Sequence, residues 1–342
     1  MSGIRVAGVG AVSPAGWGTA ALRAALEQGT PILPTLVPRP GGGQALPVRE
    51  VPRLVPVPAW AKHPRLRRAS PITLHAVGAV REALSMAGSS EPPAKDLGLI
   101  LCLLAGCVQY TERFFGEVLR DPASASPLLF PETVFNGPAS HVAAVLGRTP
   151  LTYTLLGDPS VFLQGLDLAA EWLAAGYVDD CLVVGAEETS WLLADALLQF
   201  DHSVQAAGGA GAVLLTRTPT PSPGVELEQV TDLQVYAQAQ SRPAAAGRMR
   251  AMLSESAAGG LLCDSRVGSA RLDAAETRVW RDWPGARVSP KLVLGEGLMA
   301  ASAWQCVTAI DALSRGQHRV ALISVVGQNE AAAGARFVRA GP

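Results

Sequence analysis

The residues best placed for chemistry lie where a predicted strand meets a predicted helix. The strand LTYTLL (151–156) is followed by Gly157 and then by an apolar helix, whose N-terminus favours an anion or a nucleophile. Asp158, Pro159 and Ser160 stand at this junction. Aspartate is a preferred N-cap and proline a preferred first helical residue, and neither is an acyl nucleophile. Ser160 could attack a substrate only with a base beside it, so helix capping is the interpretation we favour.

A serine nucleophile would need a base beside it, and a cysteine elsewhere could be the nucleophile instead. The chain has five histidines, at His63, His75, His141, His202 and His318. The pattern ties none of them to Ser160 or to Cys107, which follows a predicted strand and a glycine. Buried cysteines usually serve as small hydrophobic residues. The five cysteines form no CxxC pair, which predicts neither a disulfide framework nor a metal site. The incomplete fingerprint at Gly8 and Gly10 predicts no nucleotide cofactor.

The composition narrows the class of protein. Of the 342 residues, 49% are hydrophobic and only 17% are charged, which excludes disorder for most of the chain. The net charge of −1 argues against a nucleic-acid partner held by bulk electrostatics. No apolar run is long enough to span a bilayer and the first residues lack a signal-peptide pattern, so we expect a cytoplasmic protein without a membrane partner. The low charge also suggests that a partner subunit covers part of the apolar surface.

Buried strands alternate with helices along the chain, which predicts an α/β layered fold. Strands are predicted at 4–9, 97–104, 151–156, 181–188, 209–217, 225–237, 259–263, 286–289, 319–325 and 335–339. The pattern restarts after the linker TPTPSPG (218–224), so we predict two similar halves, 1–217 and 218–342. The nine prolines within 30–70 predict an extended surface excursion there.

Six stretches in the correct order resemble the β-ketoacyl synthase family, and they cover nearly the whole chain. They are VAGVGAVSPAGWG, RRASPITLHAVGAVREAL, FNGPASHVAAVLG, AAGYVDDCLVVGAEE, Phe200-Asp201 ahead of GGAGAVLL, and SPKLVLGEGLMAASA. The resemblance implies the thiolase-like fold, in which two similar α/β halves form α-β-α-β-α layers.

The catalytic residues of that family are replaced in this chain. An active ketosynthase needs a cysteine to carry the acyl chain and two histidines to decarboxylate malonyl carrier protein. By the resemblance, the cysteine position falls on Pro159 and the two histidine positions fall on Ser265 and Glu296, while the family's lysine is kept as Lys291. The resemblance therefore implies no catalytic residue and no condensing activity for the chain alone.

A ketosynthase scaffold without its triad resembles the chain-length factor, the silent subunit of heterodimeric type II polyketide synthases. That family implies two partners, an active ketosynthase subunit and an acyl carrier protein with a phosphopantetheine-tethered chain. The family's tunnel segment corresponds here to GCVQYTERFF (106–115), which places Val108, Thr111 and Phe115 on the tunnel wall. Their spacing puts them on one helix face, although ordinary core packing explains the same pattern. The short second half suggests a chain-length factor of the kind that serves polyene-forming, highly reducing systems.

Two other functions stay open at this point. One is an acyltransferase or decarboxylase that uses Cys107 or Ser160 on the same scaffold. The other is a scaffold that only recruits carrier protein, for which the basic cluster Lys62–Arg68 is a candidate contact. For that cluster, a solvated face or a set of structural ion pairs is the interpretation we favour.

Overall fold

A computed structural model describes residues 3–88, 96–148, 150–218, 224–253 and 260–341. The strands are β1 (Arg5–Ser13), β2 (Gly16–Trp17), β3 (Thr35–Val37), β4 (Leu46–Arg49), β5 (Leu97–Leu103), β6 (Leu151–Leu156), β7 (Asp180–Glu187), β8 (Ala206–Ala207), β9 (Gly209–Thr216), β10 (Val225–Val230), β11 (Gln234–Val235), β12 (Leu261–Cys263), β13 (Ala286–Val288), β14 (Val320–Val326) and β15 (Ala331–Arg339). The helices are α1 (Thr19–Gln28), α2 (Pro71–Met86), α3 (Val108–Arg120), α4 (Gly137–Leu146), α5 (Val161–Ala175), α6 (Trp191–Phe200), α7 (Arg242–Met252), α8 (Ala270–Val279), α9 (Pro290–Leu294) and α10 (Met299–Ser314).

The two halves of the chain repeat one strand order. The main path of the large sheet runs β13-β12-β14-β15-β10-β1-β9-β7-β5-β6. Each half contributes five strands to this path. When these five are numbered along the chain, their order from the edge of the sheet inward is third, second, fourth, fifth, first in both halves. In each half the fifth strand is antiparallel to its neighbours and the second to fourth are parallel. The prediction of two similar α/β halves is confirmed, whereas the boundary between 217 and 218 stays a prediction, because residues 219–223 lie outside the described ranges.

Two buried helices form the central layer. Helices α5 and α10 contact strands of both halves, while α2 covers the outer face of the first half and α7 and α8 that of the second. The apolar strands and the nearly all-apolar faces of α5 and α10 therefore bury each other in one shared core. This is the predicted α-β-α-β-α layering.

Glycines in the strands let α10 approach the sheet closely. A Cβ at Gly185 would lie 2.4 Å from the Met299 carbonyl oxygen, and a Cβ at Gly211 would lie 2.6 Å from Ala303 Cβ. The Trp304 indole N–H of α10 donates to the carbonyls of Val12, at 3.0 Å, and Ala210, at 3.1 Å. These two hydrogen bonds join the backbones of β1 and β9 directly to the central helix α10.

The proline-rich excursion is more ordered than its sequence predicts. It is largely exposed, as expected, but β3 and β4 form a small sheet with β8. Leu46 and Val48 of β4 are buried against Ala194 and Leu197 of α6. The alternation of Leu46 and Val48 supplies an apolar face that the proline count conceals.

Replacing Gly185 with alanine tests the close approach of α10. The added methyl group meets a main-chain carbonyl that a side-chain rotation cannot move, so we expect Gly185→Ala to lower the free energy of unfolding by about 1–3 kcal/mol. Gly247→Ala is the matched control, because a Cβ at Gly247 on α7 has nothing within 4 Å. Urea unfolding of both variants checks this, and equal midpoints would contradict the packing account.

Candidate functional site

The junction between β6 and α5 is a buried turn. Asp158, Pro159 and Ser160 are all buried there, and Ser160 Oγ donates to Asp158 Oδ1 at 3.5 Å. The other carboxylate oxygen of Asp158 accepts the backbone N–H groups of Asn329, at 3.2 Å, and Glu330, at 3.1 Å. Burial raises the pKa of Asp158, and these hydrogen bonds oppose that rise. The turn therefore holds a proline beside a carboxylate that accepts the Ser160 hydroxyl and two backbone N–H groups.

Glu296 forms a buried ion pair just before α10. Its Oε2 atom lies 2.8 Å from Lys291 Nζ and accepts from Gln328 Nε2 at 2.9 Å. Its Oε1 atom accepts the backbone N–H of Leu298 at 2.7 Å. Since both charged groups are almost inaccessible, removal of either would leave an uncompensated buried charge. The carboxylate at 296 is thus the centre of a satisfied network.

Ser265 lies after β12 in a second buried network. Its hydroxyl donates to Glu276 Oε2 at 2.8 Å and accepts the backbone N–H of Val326 at 2.9 Å. The Ser324 hydroxyl donates to the other oxygen of Glu276. Burial first, and then the charge of Asp264, raises the pKa of Glu276. Ser265 therefore links a buried carboxyl group to the end of β14.

The structure brings the three predicted positions together around residues 326–330. A cavity of about 240 Å³ lies at the β6–α5 turn, and Asp158, Pro159, Leu298 and Gln328 are on its wall. Leu298 has a positive φ of 49°, rare for a branched side chain, and this turns the chain from Glu296 into α10. Among the described residues, no cysteine or histidine lines this cavity.

The alternative nucleophile Cys107 is not activated. The Ser70 hydroxyl donates to its Sγ atom at 3.5 Å, and burial raises the pKa of the Cys107 thiol to about 12. His75 hydrogen-bonds through Nδ1 to the Glu187 carbonyl at 3.3 Å, and burial lowers its pKa to about 4. Cys107 is therefore a neutral thiol, and Ser160 is engaged with Asp158. Within the described ranges, no cluster of His, Cys, Asp or Glu could hold a metal ion.

The predicted tunnel residues lie on α3, at the surface of the chain. Val108 and Thr111 are half-buried, whereas Phe115 is 57% exposed. Phe114 beside it packs against Phe130, with ring centroids 5.6 Å apart. Other exposed apolar side chains near this part of the sequence are Leu104, Leu119, Leu128 and Phe135. Phe115 is thus not a core residue of this chain.

Two carboxyl groups that the sequence reasoning did not single out position α3. Glu188 accepts the backbone N–H groups of Gln109, at 2.7 Å, and Ile72, at 3.1 Å. Glu187 accepts those of Leu104 and Ala105. The only sequence feature that could have indicated these two residues is that two acids stand side by side at the end of the apolar strand β7. Together they fix the turn that leads into α3 and the start of α2.

Strand β6 lies at one edge of the large sheet formed by the described residues. It pairs with β5 on one side only, and Leu151, Tyr153 and Leu156 are about half exposed. An apolar edge strand with unpaired backbone groups is a template for pairing with another chain.

The basic cluster lies on two short 3₁₀ turns before α2. Lys62, Arg65, Arg67 and Arg68 are exposed, and no carboxylate of the described residues lies within ion-pair distance of them. The His63 ring accepts the backbone N–H of Arg65 at 3.3 Å and so shapes the turn. The structural ion-pair interpretation is therefore not supported, and a solvated face or a partner contact remains.

Comparisons with known proteins agree on the fold. Residues 158–232 match the family profile described as 3-oxoacyl-[acyl-carrier-protein (ACP)] synthase III. The ishigamide ketosynthase/chain length factor is 20% identical, with a TM-score of 0.81 over 99% of this chain and 100% of that chain. The ketosynthase ApeO in complex with its chain length factor ApeC from Xenorhabdus doucetiae is 15% identical, with a TM-score of 0.78 over 99% and 98%.

A third solved structure is an acyl-carrier protein of a type II PKS in complex with its ketosynthase, AntDE:AntF. The matched chain of that complex is 14% identical to this chain, with a TM-score of 0.78 over 98% of this chain and 99% of that chain. No curated protein sequence matches the chain. The chain thus has the thiolase-like fold of ketosynthases. None of the helices in the described ranges has the length and apolar character that crossing a bilayer requires.

The buried acids beside α3 predict a pH-dependent stability. Burial raises the pKa of Glu187 to about 8 and that of Glu188 to about 7, from 4.5. The unfolded chain therefore releases protons that the folded chain keeps, and the free energy of unfolding falls between about pH 5 and pH 8, by up to about 1.4 kcal/mol per pH unit for each group. Urea titrations across this range should show a shallower fall for Glu187→Gln. The exposed Glu171→Gln is the control, and equal slopes in both variants would contradict the assignment.

Proposed function

We propose that this chain is a noncatalytic, chain-length-factor-like subunit that pairs with an active ketosynthase and shapes the cavity for a polyketide or polyene chain. The observation that carries the proposal is the set of buried hydrogen-bond networks that Asp158, Ser265 and Glu296 form with residues 326–330. Pro159, Ser265 and Glu296 stand together where the resemblance expects a thiol and two imidazoles, and each is built into stable packing or hydrogen bonds. The thiolase-like fold is kept while its chemistry is absent.

Condensation requires groups that these positions cannot supply. The nucleophile must form a thioester, and a proline has neither a thiol nor a hydroxyl group. Decarboxylation needs hydrogen-bond donors at the developing charge, whereas a carboxylate paired with Lys291 repels an enolate. The alternative enzyme that uses Cys107 or Ser160 lacks support, because the first is a neutral buried thiol and the second has no exposed surface for a substrate to reach.

An acyl carrier protein is the second proposed partner. The cluster Lys62–Arg68 supports it, because its four cations are exposed and lack carboxylate partners among the described residues. Carrier proteins of this kind present acidic surfaces, which such a patch attracts. A scaffold that recruits only the carrier protein would use the same cluster but would not need the apolar edge at β6 or the exposed face of α3.

The purified chain should be catalytically silent. We expect no carbon dioxide release from malonyl carrier protein and no covalent acyl adduct in mass spectra after incubation with acyl thioesters. Pro159→Cys alone should not restore turnover, because the proton-handling groups at positions 265 and 296 are still missing. Turnover by the wild-type chain, or an adduct on Cys107 or Ser160, would contradict the proposal.

The free edge at β6 should pair with the catalytic subunit. We expect a heterodimer that buries more than about 2,000 Å², the range of obligate interfaces. Tyr153→Lys, which puts a charge on the edge strand, should weaken assembly at least tenfold in sedimentation analysis. Tyr177→Lys is the control, because Tyr177 is 68% exposed beyond the end of α5. A stable wild-type monomer at micromolar concentration, or equal effects of the two variants, would contradict this interface.

The length of the product should depend on α3. If Phe115 closes the distal end of the tunnel, Phe115→Ala opens space for further two-carbon units and the complex makes a longer chain. A bulky residue at Val108 or Thr111 should make a shorter one. A cavity at a packed interface costs about 3–5 kcal/mol, so assembly is confirmed before product masses are compared. An unaltered product distribution across all three substitutions would reject the tunnel assignment.

A further inference from the structure

Helix α3 lies against the body of the chain without burying a residue. None of its 13 residues, all of which lie in the described ranges, is buried, although the helix has an apolar face. Phe115 and Leu119 on this helix are 57% and 83% exposed. The neighbouring helix α2, by contrast, has much of its length buried in the first half. Hydrophobic burial therefore contributes little to the position of α3, and its polar contacts become decisive.

One carboxylate caps both of these helices. Glu188 Oε1 accepts the backbone N–H of Gln109 at 2.7 Å, and Glu188 Oε2 accepts that of Ile72 at 3.1 Å. Each donor is the second residue of its helix, and neither helix receives a side-chain hydrogen bond from its own N-cap residue. The free N–H groups at a helix start favour a carboxylate. Glu188 thus fixes the start of α3 relative to the buried helix α2.

The turn that follows Glu188 makes two more contacts with α3. Gln109 Nε2 donates to the Thr189 carbonyl at 2.8 Å. Trp191 Nε1 donates to Glu112 Oε1, about one helical turn farther along, at 2.6 Å. The Trp191 ring packs against the buried cluster that joins α6 to β4. The indole is therefore held by the core on one side and by α3 on the other.

The far end of α3 contacts a surface segment. Glu117 accepts the backbone N–H of Ser126 at 2.9 Å, and Phe114 packs against Phe130. Both partners follow α3 in the chain and lie outside the strands of the large sheet. The first turn of α3 is thus the part that hydrogen bonds join to the end of β7.

We propose that Glu188 and Trp191 are positioning residues that fix α3 and, through it, the number of extension units that the cavity accepts. When either contact is lost, the helix takes several positions, and the wall that carries Phe115 moves with it. Such a wall gives products of several lengths, whereas a shortened side chain on a fixed wall gives one longer product. This inference rests on the proposed function, because only a chain that shapes the cavity can set product length.

Hydrogen exchange of the full chain tests the cap without a partner. In the wild type, the amide of Gln109 should exchange slowly, because it donates to a buried carboxylate. Glu188→Ala should speed exchange of the peptide covering 105–111 at least tenfold, with β14 unchanged as a measure of intact folding. Glu171→Ala, which removes an exposed carboxylate from α5, should leave the peptide at the wild-type rate.

The Trp191 contact has its own matched variants. Glu112→Ala removes the acceptor and should speed exchange of 105–111 at least threefold. Glu112→Gln keeps an amide oxygen that can accept from the indole, so it should retain the wild-type rate. Trp191→Phe keeps an aromatic ring against the buried cluster but removes the N–H donor, and it should match Glu112→Ala.

Product masses from the assembled complex test the effect on length. With equal heterodimer content in sedimentation analysis, Glu188→Ala and Glu112→Ala should each add at least one further product length to that of the wild type. Glu112→Gln should restore the wild-type distribution. A residue that only stabilised the fold would lower the yield and leave the lengths unchanged.

Two results would overturn the inference. One is unchanged exchange of 105–111 in both Glu188→Ala and Glu112→Ala. The other is a wild-type product distribution from an assembled complex in which that exchange is faster. If Glu188→Ala fails to fold, Glu112→Ala decides, because the Glu112 side chain is exposed.

Failure of the proposed function gives a different pattern. A chain that forms no complex with a ketosynthase refutes the proposed function and with it the effect on length, while faster exchange in the variants still supports the anchoring of α3. A longer product from Phe115→Ala, together with an unbroadened distribution from Glu188→Ala and Glu112→Ala, refutes this inference alone.

Discussion

The packing of α10 between the two halves is the constraint on which the rest of the structure depends. Its side chains are buried against strands of both halves, and Gly185 and Gly211 allow the helix to approach the sheet. This burial offsets the unfavourable backbone conformation of Leu298 at the start of α10. Because that turn is fixed, Glu296 is directed at Lys291. The ion pair between Glu296 and Lys291 therefore depends on the packing of α10.

Buried carboxyl groups are tolerated here because backbone N–H groups donate hydrogen bonds to them. Asp158, Glu188 and Glu296 each accept at least one main-chain donor from a segment distant in sequence or from a helix start. Such bonds offset desolvation and also join elements that the strand ladders do not connect. Ser265 and Glu296 are likewise buried and hydrogen-bonded, so the space around positions 265 and 296 is filled and ordered.

Sequence reasoning predicted the alternation of strands and helices, the two halves and the fold, because apolar periodicity and the order of six family stretches are local signals. It singled out Pro159, Ser265 and Glu296 from the resemblance alone, and their assignment as former catalytic positions stays a prediction. It missed the contact of Asp158 with Asn329 and Glu330, since 171 residues separate the carboxylate from its nearest partner in the chain. It also missed the docking of β4, because proline content outweighed the short alternation around Val48. Long-range pairing has no signature in a single sequence.

The two ends of the large sheet differ in a way that bears on stoichiometry. At one end β6 offers six residues for pairing, while at the other β13 has only three. A second long edge would let subunits add one after another into fibrils. Among the described residues β6 is the only long edge, so the proposed pairing with a catalytic subunit would leave just the three residues of β13 at the other edge. A three-residue edge offers few backbone groups to a further chain, so the proposed heterodimer would have little means of growing into a polymer.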